Sequence, residues 1–319
     1  MISLEDIKQA HDNISSYIHK TPQIYSKALS TDSQKVYLKL ESMQITGSFK
    51  LRGAMNKLLS LSEEQKKSGV IAVSTGNHGK GVAYAAKQLG IKSKIFMSSL
   101  VPKHRCDAIK SLGALVEIVG TNSDEADLYA KDYALKNSIE LIHPFDDLKI
   151  IAGQGTIGLE MLESMPLVDT VIVPTSGGGL IGGIALAIKA LKPNVNIIAV
   201  SMKRGASMYE SLKAGKPVDV VEEETLADCL GGSIGLENKY TFKIAQNVID
   251  DFILIDEDKI AEGIKFNFEF HKLVTEGAAA TSIMVVKDKL SKLIGKNVIC
   301  LICGGNIDPI LFAKIVTNF

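Results

Sequence analysis

Short apolar segments alternate with amphipathic helical patterns along most of this chain, and that alternation limits the folds the chain can adopt. Short segments rich in Val, Ile and Leu are typical of buried β-strands. Seven such segments occur, at residues 36–41, 70–74, 94–99, 115–119, 169–175, 196–201 and 297–303. Helical patterns between them include residues 78–90 and 180–192. The alternation predicts an α/β fold in which helices cover both faces of parallel sheets.

The strand–helix units form two series along the chain. Residues from about 69 to 142 form one compact series, and a second series begins after about Phe145. We therefore predict a small domain at 45–145 and a large domain made of 1–44 and 146–319. The natural arrangement of two such lobes places a cleft between them, where ligands of α/β proteins usually bind.

Charge and hydropathy exclude several classes of partner. Lys plus Arg and Asp plus Glu both number 36, so the formal net charge is zero and nothing favours nucleic acid or an anionic membrane. No apolar run reaches the roughly 18 residues of a membrane span. The N-terminal residues 1–20 have a charged amphipathic pattern without a signal-peptide core, which predicts a cytoplasmic location.

Two of the four cysteines have the CxxC spacing of redox and metal sites. Cys300 and Cys303 lie in NVICLICGG, which has the pattern of a buried strand. Positions three apart in a strand face opposite sides of the sheet. This geometry favours a structural role for the pair.

The glycine-rich turn STGNHGKG, residues 74–81, follows a predicted strand and opens a helix. Gly76 and Gly79 allow close backbone approach, and Asn77 and His78 add polar groups. Free amides at a helix N-terminus suit a carboxylate. A simple helix cap with incidental polar residues is the alternative.

A second turn, SGGGLIGG at residues 176–183, is typical of a phosphate site, because consecutive glycines direct backbone amides toward an anion. The same turn satisfies G-x-G-x-x-G, so a dinucleotide site is the leading rival. The acidic ribose partner expected further on is absent, and Lys203 and Arg204 stand there instead. That exchange would favour NADP over NAD.

The third turn, CGGNID at residues 303–308, would place Cys303 at a strand end facing a ligand, or would simply cap a helix.

Lys50, in TGSFKLRGA at residues 46–54, stands behind another turn and just inside an apolar helix. A lone lysine is usually solvated. Combined with a phosphate turn, a carboxylate turn and a strand-end thiol, it suits pyridoxal phosphate, whose aldehyde forms a Schiff base with lysine.

Five motifs in order resemble those of the fold type II pyridoxal-phosphate enzymes, in the threonine/serine dehydratase and serine racemase branch. They are TGSFKLRGA, STGNHGKG, AGQGTIGLE, SGGGLIGG and CGGNID. The resemblance covers nearly the whole chain. It implies a two-lobed, tryptophan-synthase-β-like fold, pyridoxal 5'-phosphate in the interdomain cleft, and a homodimer or homotetramer.

The resemblance also implies roles for individual residues. Lys50 corresponds to the Schiff-base lysine, and Phe49 to the residue packed beside the cofactor ring. Asn77 corresponds to the hydrogen-bond partner of the phenolic oxygen, and Cys303 to the partner of the ring nitrogen. Glu276 corresponds to an acidic residue near the cofactor, with its role open.

Two further groups follow from the same resemblance. The phosphate loop matches Gly177, Gly178, Gly179 and Leu180. The groups around the substrate carboxylate match Ser74, Thr75, Gly76 and His78. Thr75 is also a candidate catalytic residue, because serine racemase has a reprotonating serine there. Dehydratases without racemase activity commonly have alanine, so Thr75 leaves racemisation undecided.

The chain departs from the family pattern after the strand at 196–201. Serine racemase and several dehydratases carry acidic ligands for a divalent cation there. Ser201 and Ser207 occupy those positions in this chain, with Lys203 and Arg204 between them. Hard cations need carboxylate oxygens, so we predict no Mg²⁺ or Ca²⁺ site.

The leading functional hypothesis is an ammonia-lyase that eliminates the β-hydroxyl of L-threonine or L-serine and releases a 2-oxo acid and ammonia. Lys50 would remove the α-proton. An amino-acid racemase on the same scaffold is the close alternative. SMKRGASM and LADCLGGSIGLENKYTF resemble the hydroxyectoine-utilisation dehydratase subgroup, which implies a larger hydroxy amino acid, and 3-hydroxyaspartate is another option.

Two hypotheses from other classes complete the set. One is an NADP-dependent oxidoreductase built on the glycine fingerprint, and the other is a catalytically silent binding protein. Because the chain ends at Phe319, soon after the last motif, we expect no C-terminal regulatory domain.

Overall fold

The computed structural model describes residues 2–74, 76–99, 101 and 103–317. The strands are β1 Gln23–Tyr25, β2 Lys35–Leu40, β3 Val70–Val73, β4 Ser93–Met97, β5 Leu115–Ile118, β6 Glu140–Leu141, β7 Thr170–Pro174, β8 Asn196–Met202, β9 Asp251–Ile255 and β10 Asn297–Ile302. They form a six-stranded sheet of order β1-β2-β10-β7-β8-β9 and a four-stranded sheet of order β5-β4-β3-β6.

Helices precede, separate and follow these strands along the chain. They are α1 Leu4–Ile14, α2 Lys50–Leu59, α3 Glu63–Ser68, α4 Asn77–Gln88, α5 Lys103–Ser111, α6 Ser123–Asn137, α7 Leu148–Ser164, α8 Gly179–Leu191, α9 Ser207–Ala214, α10 Thr241–Val248, α11 Glu257–His271, α12 Gly277–Lys287 and α13 Pro309–Thr317. Short 3-10 turns occur at Glu41–Met43 and Asp228–Leu230.

Each of the seven strands predicted from sequence is present within one or two residues of its expected bounds. Their pairings are parallel, as the strand–helix alternation predicted. The prediction missed β1, β6 and β9. These edge strands are short or only half-buried, so they carry a weak apolar signal. The edge strand β1, which was not predicted, pairs antiparallel to β2 beside the otherwise parallel strands.

The central strands explain why the apolar segments were easy to recognise. Val298 to Ile302 of β10 are fully buried, because neighbouring strands pair on both sides and helices cover both faces. One apolar core lies around the six-stranded sheet, and another lies around the four-stranded sheet with α2 and α4. The division into domains at residues 45 and 146 stays a prediction.

The glycines of AGQGTIGLE lie in α7 and serve helix packing. A Cβ added at Gly153 would lie 2.7 Å from the carbonyl oxygen of Arg52 in α2. A Cβ added at Gly155 would lie 2.9 Å from the carbonyl oxygen of Gly183 in α8. Only glycine allows such close contact between backbones. The motif therefore packs α7 against both the helix that begins at Lys50 and the helix that follows the triple-glycine turn.

The N-terminal amphipathic segment forms α1, which is shorter than the pattern at residues 1–20. Ser3 caps it, and the Ser3 hydroxyl accepts from the Asp6 amide while the Asp6 carboxylate accepts from the Ser3 amide. Ile7 and Ile14 are on its buried face. Within the described ranges, no helix combines the length and apolar character that crossing a bilayer requires.

Candidate active site

A cleft of about 1310 Å³ lies where the carboxyl ends of β3, β4, β7 and β10 converge. Twelve of the residues singled out from sequence line it, namely Phe49, Lys50, Ser74, Gly76, Asn77, His78, Gly177, Gly178, Gly179, Leu180, Glu276 and Cys303. Thr75 lies outside the described residues. The structure thus brings together motifs that are far apart in sequence, while their chemical roles stay predictions.

Lys50 is the first residue of α2, and its amine reaches the wall of the cleft. Its Nζ donates to the carbonyl oxygen of Pro144 at 2.7 Å and lies 5.3 Å from the centre of the Phe49 ring. Burial lowers the pKa of Lys50 to about 8, against the opposing effect of nearby acidic groups that include Glu276. A larger share of this amine is therefore neutral near physiological pH than of a solvated lysine.

The triple-glycine turn lies between β7 and α8. Gly178 has φ +86°, a left-handed conformation that favours glycine, and α8 begins at the next residue. A Cβ added at Gly177 would lie 2.3 Å from Cδ1 of Phe145, and one at Gly179 would lie 2.8 Å from the Phe145 carbonyl oxygen. The turn is bare backbone at a helix N-terminus that lines the cleft, which suits a phosphate group.

Replacing Gly177 with alanine is expected to weaken binding of pyridoxal phosphate by at least about tenfold, since the added methyl displaces the turn or the Phe145 ring. Equilibrium dialysis of the purified holoenzyme measures the change. Gly182→Ala, in α8 just after the turn, is the matched control, because the atoms nearest an added Cβ are all side-chain carbons, the closest being Cγ2 of Ile244 at 3.1 Å. Equal affinities for the two variants would contradict a phosphate role for the turn.

Glu276 is the N-cap residue of α12 and is buried at the cleft wall. The amide Nδ2 of Asn77 donates to both of its carboxylate oxygens, at 3.0 and 3.1 Å, and the Asn306 backbone amide donates to Oε2 at 3.2 Å. Burial raises the pKa of Glu276 to about 7, despite the hydrogen bond from Asn77. The carboxyl is therefore placed to gain or lose a proton near neutral pH.

Cys303 follows β10, and its Sγ lies 4.0 Å from Oε1 of Glu276. Burial raises the pKa of the Cys303 thiol, and the nearby Glu276 charge raises it further. The sulfur therefore stays a neutral thiol at this position. Cys300 is also buried in β10, and the four cysteines, all within the described ranges, are free; the structural interpretation of the CxxC spacing stays a prediction.

The turn after β3 supplies the candidate carboxylate site. The Ser74 hydroxyl accepts from the Gly76 amide at 3.2 Å, and α4 begins at Asn77. His78 Nε2 donates to the carbonyl oxygen of Ile142 at 2.8 Å. Burial lowers the pKa of His78 to about 3, and the nearby Lys50 amine lowers it further, so the ring is neutral. His78 holds the turn against the strand that ends at Leu141.

Sequence reasoning missed several residues that line the same cleft or bond to the residues that do. Pro144 and Phe145 follow β6, a two-residue strand that was itself missed. Cys229 lies 3.5 Å from Nδ2 of Asn77, and Asn306 bonds both Asn77 and Glu276. Phe145 and Asn306 could have been found from their positions shortly after the ends of β6 and β10. At Asn306, the neighbouring glycines drew the attention of the sequence analysis instead.

The residues at the family's cation position, Ser201, Lys203, Arg204 and Ser207, are not among the described residues that line the cleft. Lys203 pairs with Asp256 at 3.0 Å, and Lys203 and Arg204 line a separate cavity of about 410 Å³. The Ser207 hydroxyl donates to the Gly232 carbonyl oxygen at 2.9 Å. No group of three or more His, Cys, Asp or Glu side chains that could hold a metal ion occurs in the described part of the chain. The absence of a Mg²⁺ or Ca²⁺ site stays a prediction.

The residues at the cleft fit pyridoxal phosphate. A primary amine with a lowered pKa, a bare glycine turn at a helix N-terminus and a buried neutral thiol lie around one cavity. A lysine for the aldehyde, amides for the phosphate and a polar partner for the ring nitrogen are the groups this cofactor needs.

Comparison with known proteins agrees with the predicted fold and cofactor. The chain matches the family described as pyridoxal-phosphate dependent enzyme over residues 14–304. It belongs to that family, as a fold type II enzyme of the threonine dehydratase and serine racemase branch. This membership confirms the family, fold class and cofactor predicted from the motifs. It does not reach the hydroxyectoine subgroup, which stays a prediction.

Two curated relatives and one solved structure illustrate this similarity. A putative threonine dehydratase of Sinorhizobium fredii is 44% identical over 99% of this chain and 96% of its own length. An L-threonine ammonia-lyase of Thermotoga maritima is 42% identical over 100% of this chain and 79% of its own. The structure of maize serine racemase superimposes with a TM-score of 0.91 at 32% identity, covering 98% of this chain and 96% of that one.

Proposed function

We propose that this protein is a pyridoxal-phosphate-dependent ammonia-lyase that converts L-threonine, and L-serine as a smaller analogue, to a 2-oxo acid and ammonia. The observation that carries the proposal is the Lys50 amine, with its lowered pKa, in the cleft that also holds the glycine turn and the carboxylate turn. The two bacterial relatives named for threonine chemistry, at 42% and 44% identity over almost the whole chain, support the choice of substrate.

The chain's own residues divide the work of the reaction. When bound, the cofactor supplies an aldehyde for the substrate amine and a ring that withdraws electrons from the α-carbon. The N-terminus of α4, with Ser74 and Gly76, would bind the substrate carboxylate. Lys50 Nζ, once free of the cofactor, would take the α-proton as general base.

The remaining groups hold the cofactor ring. Asn77 would donate through its amide to the phenolic oxygen, and the Gly177–Leu180 turn would bind the phosphate. The neutral Cys303 thiol would contact the ring nitrogen. A thiol does not hold that nitrogen protonated as a carboxylate would, so electron withdrawal is weaker. Weak withdrawal suits elimination, in which charge on the α-carbon is short-lived.

The test combines a spectrum with a product assay. The purified protein should show a visible band that borohydride abolishes, with the reduced label mapped to Lys50 by peptide mass. L-threonine should yield 2-oxobutanoate and ammonia in equal amounts. A colourless protein that binds no pyridoxal phosphate would overturn the proposal, and consumption of NADPH would then favour the oxidoreductase alternative.

The lowered pKa of Lys50 predicts a specific pH dependence. The rate at which cofactor-free protein takes up pyridoxal phosphate should rise with pH and level off above about 8, because the neutral amine is the reactive form. Stopped-flow absorbance between pH 6 and pH 10 measures this rate. A rise that continues to about pH 10, as for a solvated lysine, would contradict the lowered pKa.

Racemisation is a second candidate, favoured by the TM-score of 0.91 to maize serine racemase. Chiral analysis of the amino acid that remains in the same incubation separates the two reactions. D-serine formed at a rate comparable to the 2-oxo acid would establish the racemase; its absence leaves the ammonia-lyase alone.

We also propose a homodimer or homotetramer and a cytoplasmic location. Several large apolar side chains are exposed outside the cleft, among them Met43, Phe270, Val274 and Ile310. Near Gly305, the Val274 carbonyl oxygen and Ser42, the neighbour of Met43, approach the same backbone position. A contact between subunits would cover such side chains. Light scattering on protein eluting from a size-exclusion column measures the mass of the assembly.

A further inference from the structure

Asn306 joins three separate parts of the chain beside the cleft. Its Nδ2 donates to Oδ1 of Asn77 at 2.7 Å and to the Thr46 carbonyl oxygen at 2.9 Å. Its Oδ1 accepts from Lys80 Nζ at 2.8 Å, and its backbone amide donates to Glu276 at 3.2 Å. Every donor and acceptor of the Asn306 side chain therefore has a partner.

The chemistry of those partners determines which way the Asn306 amide points. The Lys80 ammonium can only donate, and the Thr46 carbonyl oxygen can only accept. Lys80 must therefore face Oδ1 of Asn306, and Thr46 must face Nδ2. The reverse orientation would place two donors against each other on one side and two acceptors on the other, which loses both bonds.

The orientation of Asn306 then determines that of Asn77. Because the Asn306 Nδ2 group faces it, Asn77 must present Oδ1 to Asn306. The Asn77 Nδ2 group is left to donate to Glu276, and it lies beside Cys229, which also lines the cleft. An ionised Glu276 only accepts, so it favours the same orientation from the other side.

We propose that Lys80 and Asn306 are positioning residues that hold the Asn77 amide with Nδ2 rather than Oδ1 toward the cleft, where one N–H donates to Glu276 and the other is left for the cofactor. This inference rests on the proposed function, in which Asn77 donates to the phenolic oxygen of pyridoxal phosphate. That oxygen is an acceptor, so a reversed Asn77 would oppose it with Oδ1. Neither Lys80 nor Asn306 contacts the cofactor in this role, and each acts through Asn77.

Two neutral substitutions of Lys80 separate hydrogen bonding from charge. Lys80→Gln keeps a donor for Asn306 Oδ1, whereas Lys80→Met has similar length and no donor. We expect Lys80→Met to weaken pyridoxal phosphate binding about three- to tenfold, and Lys80→Gln to recover most of that loss. Equilibrium dialysis of the holoenzymes measures affinity, and the absorption maximum of the bound cofactor gives a second readout.

A substitution of Asn306 tests whether this residue determines the orientation of the Asn77 amide. Asn306→Asp is isosteric but offers only acceptors, so Asn77 should turn its Nδ2 away from the cofactor. We expect affinity to fall by at least about tenfold and the absorption maximum of the bound cofactor to shift. Asn56→Asp is the control: Asn56 is also buried and donates to the Lys149 carbonyl oxygen, within the helix packing of α2.

The possible results separate a failure of the positioning role from a failure of the proposed function. Equal cofactor affinity in Lys80→Gln and Lys80→Met, or wild-type affinity and spectrum in Asn306→Asp, would overturn the positioning role while wild-type cofactor binding stands. Wild-type protein that binds no pyridoxal phosphate would instead overturn the proposed function. Should Asn306→Asp not fold, the pair of Lys80 variants still decides the question.

Discussion

Lys50→Ala is expected to lower kcat for L-threonine by at least about a thousand-fold, since a general base contributes roughly 10²–10⁴-fold and this lysine is also the proposed covalent anchor. The amine of Lys80 cannot replace that of Lys50 as the base, because it donates a hydrogen bond to Asn306. Steady-state assays of 2-oxobutanoate measure the loss.

Two companion measurements show that the loss is chemical. Added methylamine or ethylamine should restore part of the activity of Lys50→Ala, because a small amine can occupy the space the side chain leaves. Lys57→Ala, on the same helix, removes an amine that pairs instead with Glu140 and Asp147, and it should keep near-normal kcat and the borohydride label on Lys50. Undiminished turnover in Lys50→Ala would refute its role as base.

Sequence reasoning succeeded where local pattern and site coincide. Parallel strands in a buried sheet are apolar throughout, so β7 and β10 were visible, and the glycine turns that follow them mark ligand sites in such folds. Lys50, Gly177 and Cys303 were found because each stands at such a strand end or turn. Their convergence on one cleft then follows from the topology of the sheets.

The residues that were missed depend on contacts between distant segments. Phe145 contacts the glycine turn because the segment after β6 lines the same cleft, and no local pattern indicates that contact. Asn306 lies among glycines of an identified motif, but its partners Thr46, Asn77 and Lys80 come from two other motifs. Hydrogen-bond partners separated by more than two hundred residues are a property of the fold, and a single sequence does not display them.

A large effect on stability is expected from a cluster of buried charged side chains next to the turn that carries Lys50. Arg52 donates to both carboxylate oxygens of Glu41 at 2.8 Å, and to Glu160 at 2.7 and 3.0 Å. Lys39 also donates to Glu160, and all four side chains are 1% exposed or less. Arg52 lies two residues after Lys50, so the cluster ties the start of α2 to β2 and α7.

Arg52→Met is expected to lower the free energy of unfolding by about 3–5 kcal/mol, because it leaves buried carboxylates without their partner. Arg52→Lys keeps the charge but not the fork of donors, so its loss should be smaller. The exposed pair of Lys20 and Glu163 is the control, and Lys20→Ala should change stability by less than about 1 kcal/mol. Urea denaturation at fixed protein and cofactor concentration measures each variant.

The same cluster predicts how stability responds to acid. Burial alone would raise the pKa of Glu160, but Arg52 and Lys39 outweigh it and hold the pKa below its usual range. A carboxyl with a lowered folded-state pKa contributes stability above its unfolded pKa of about 4.3 and loses it as the pH falls through the folded value. Wild-type stability should therefore fall steeply on the acid side. Arg52→Met should show a shallower acid slope, because Glu160 has then lost its strongest partner. Parallel pH profiles for the two proteins would show that Arg52 does not carry the charge pairing assigned to it.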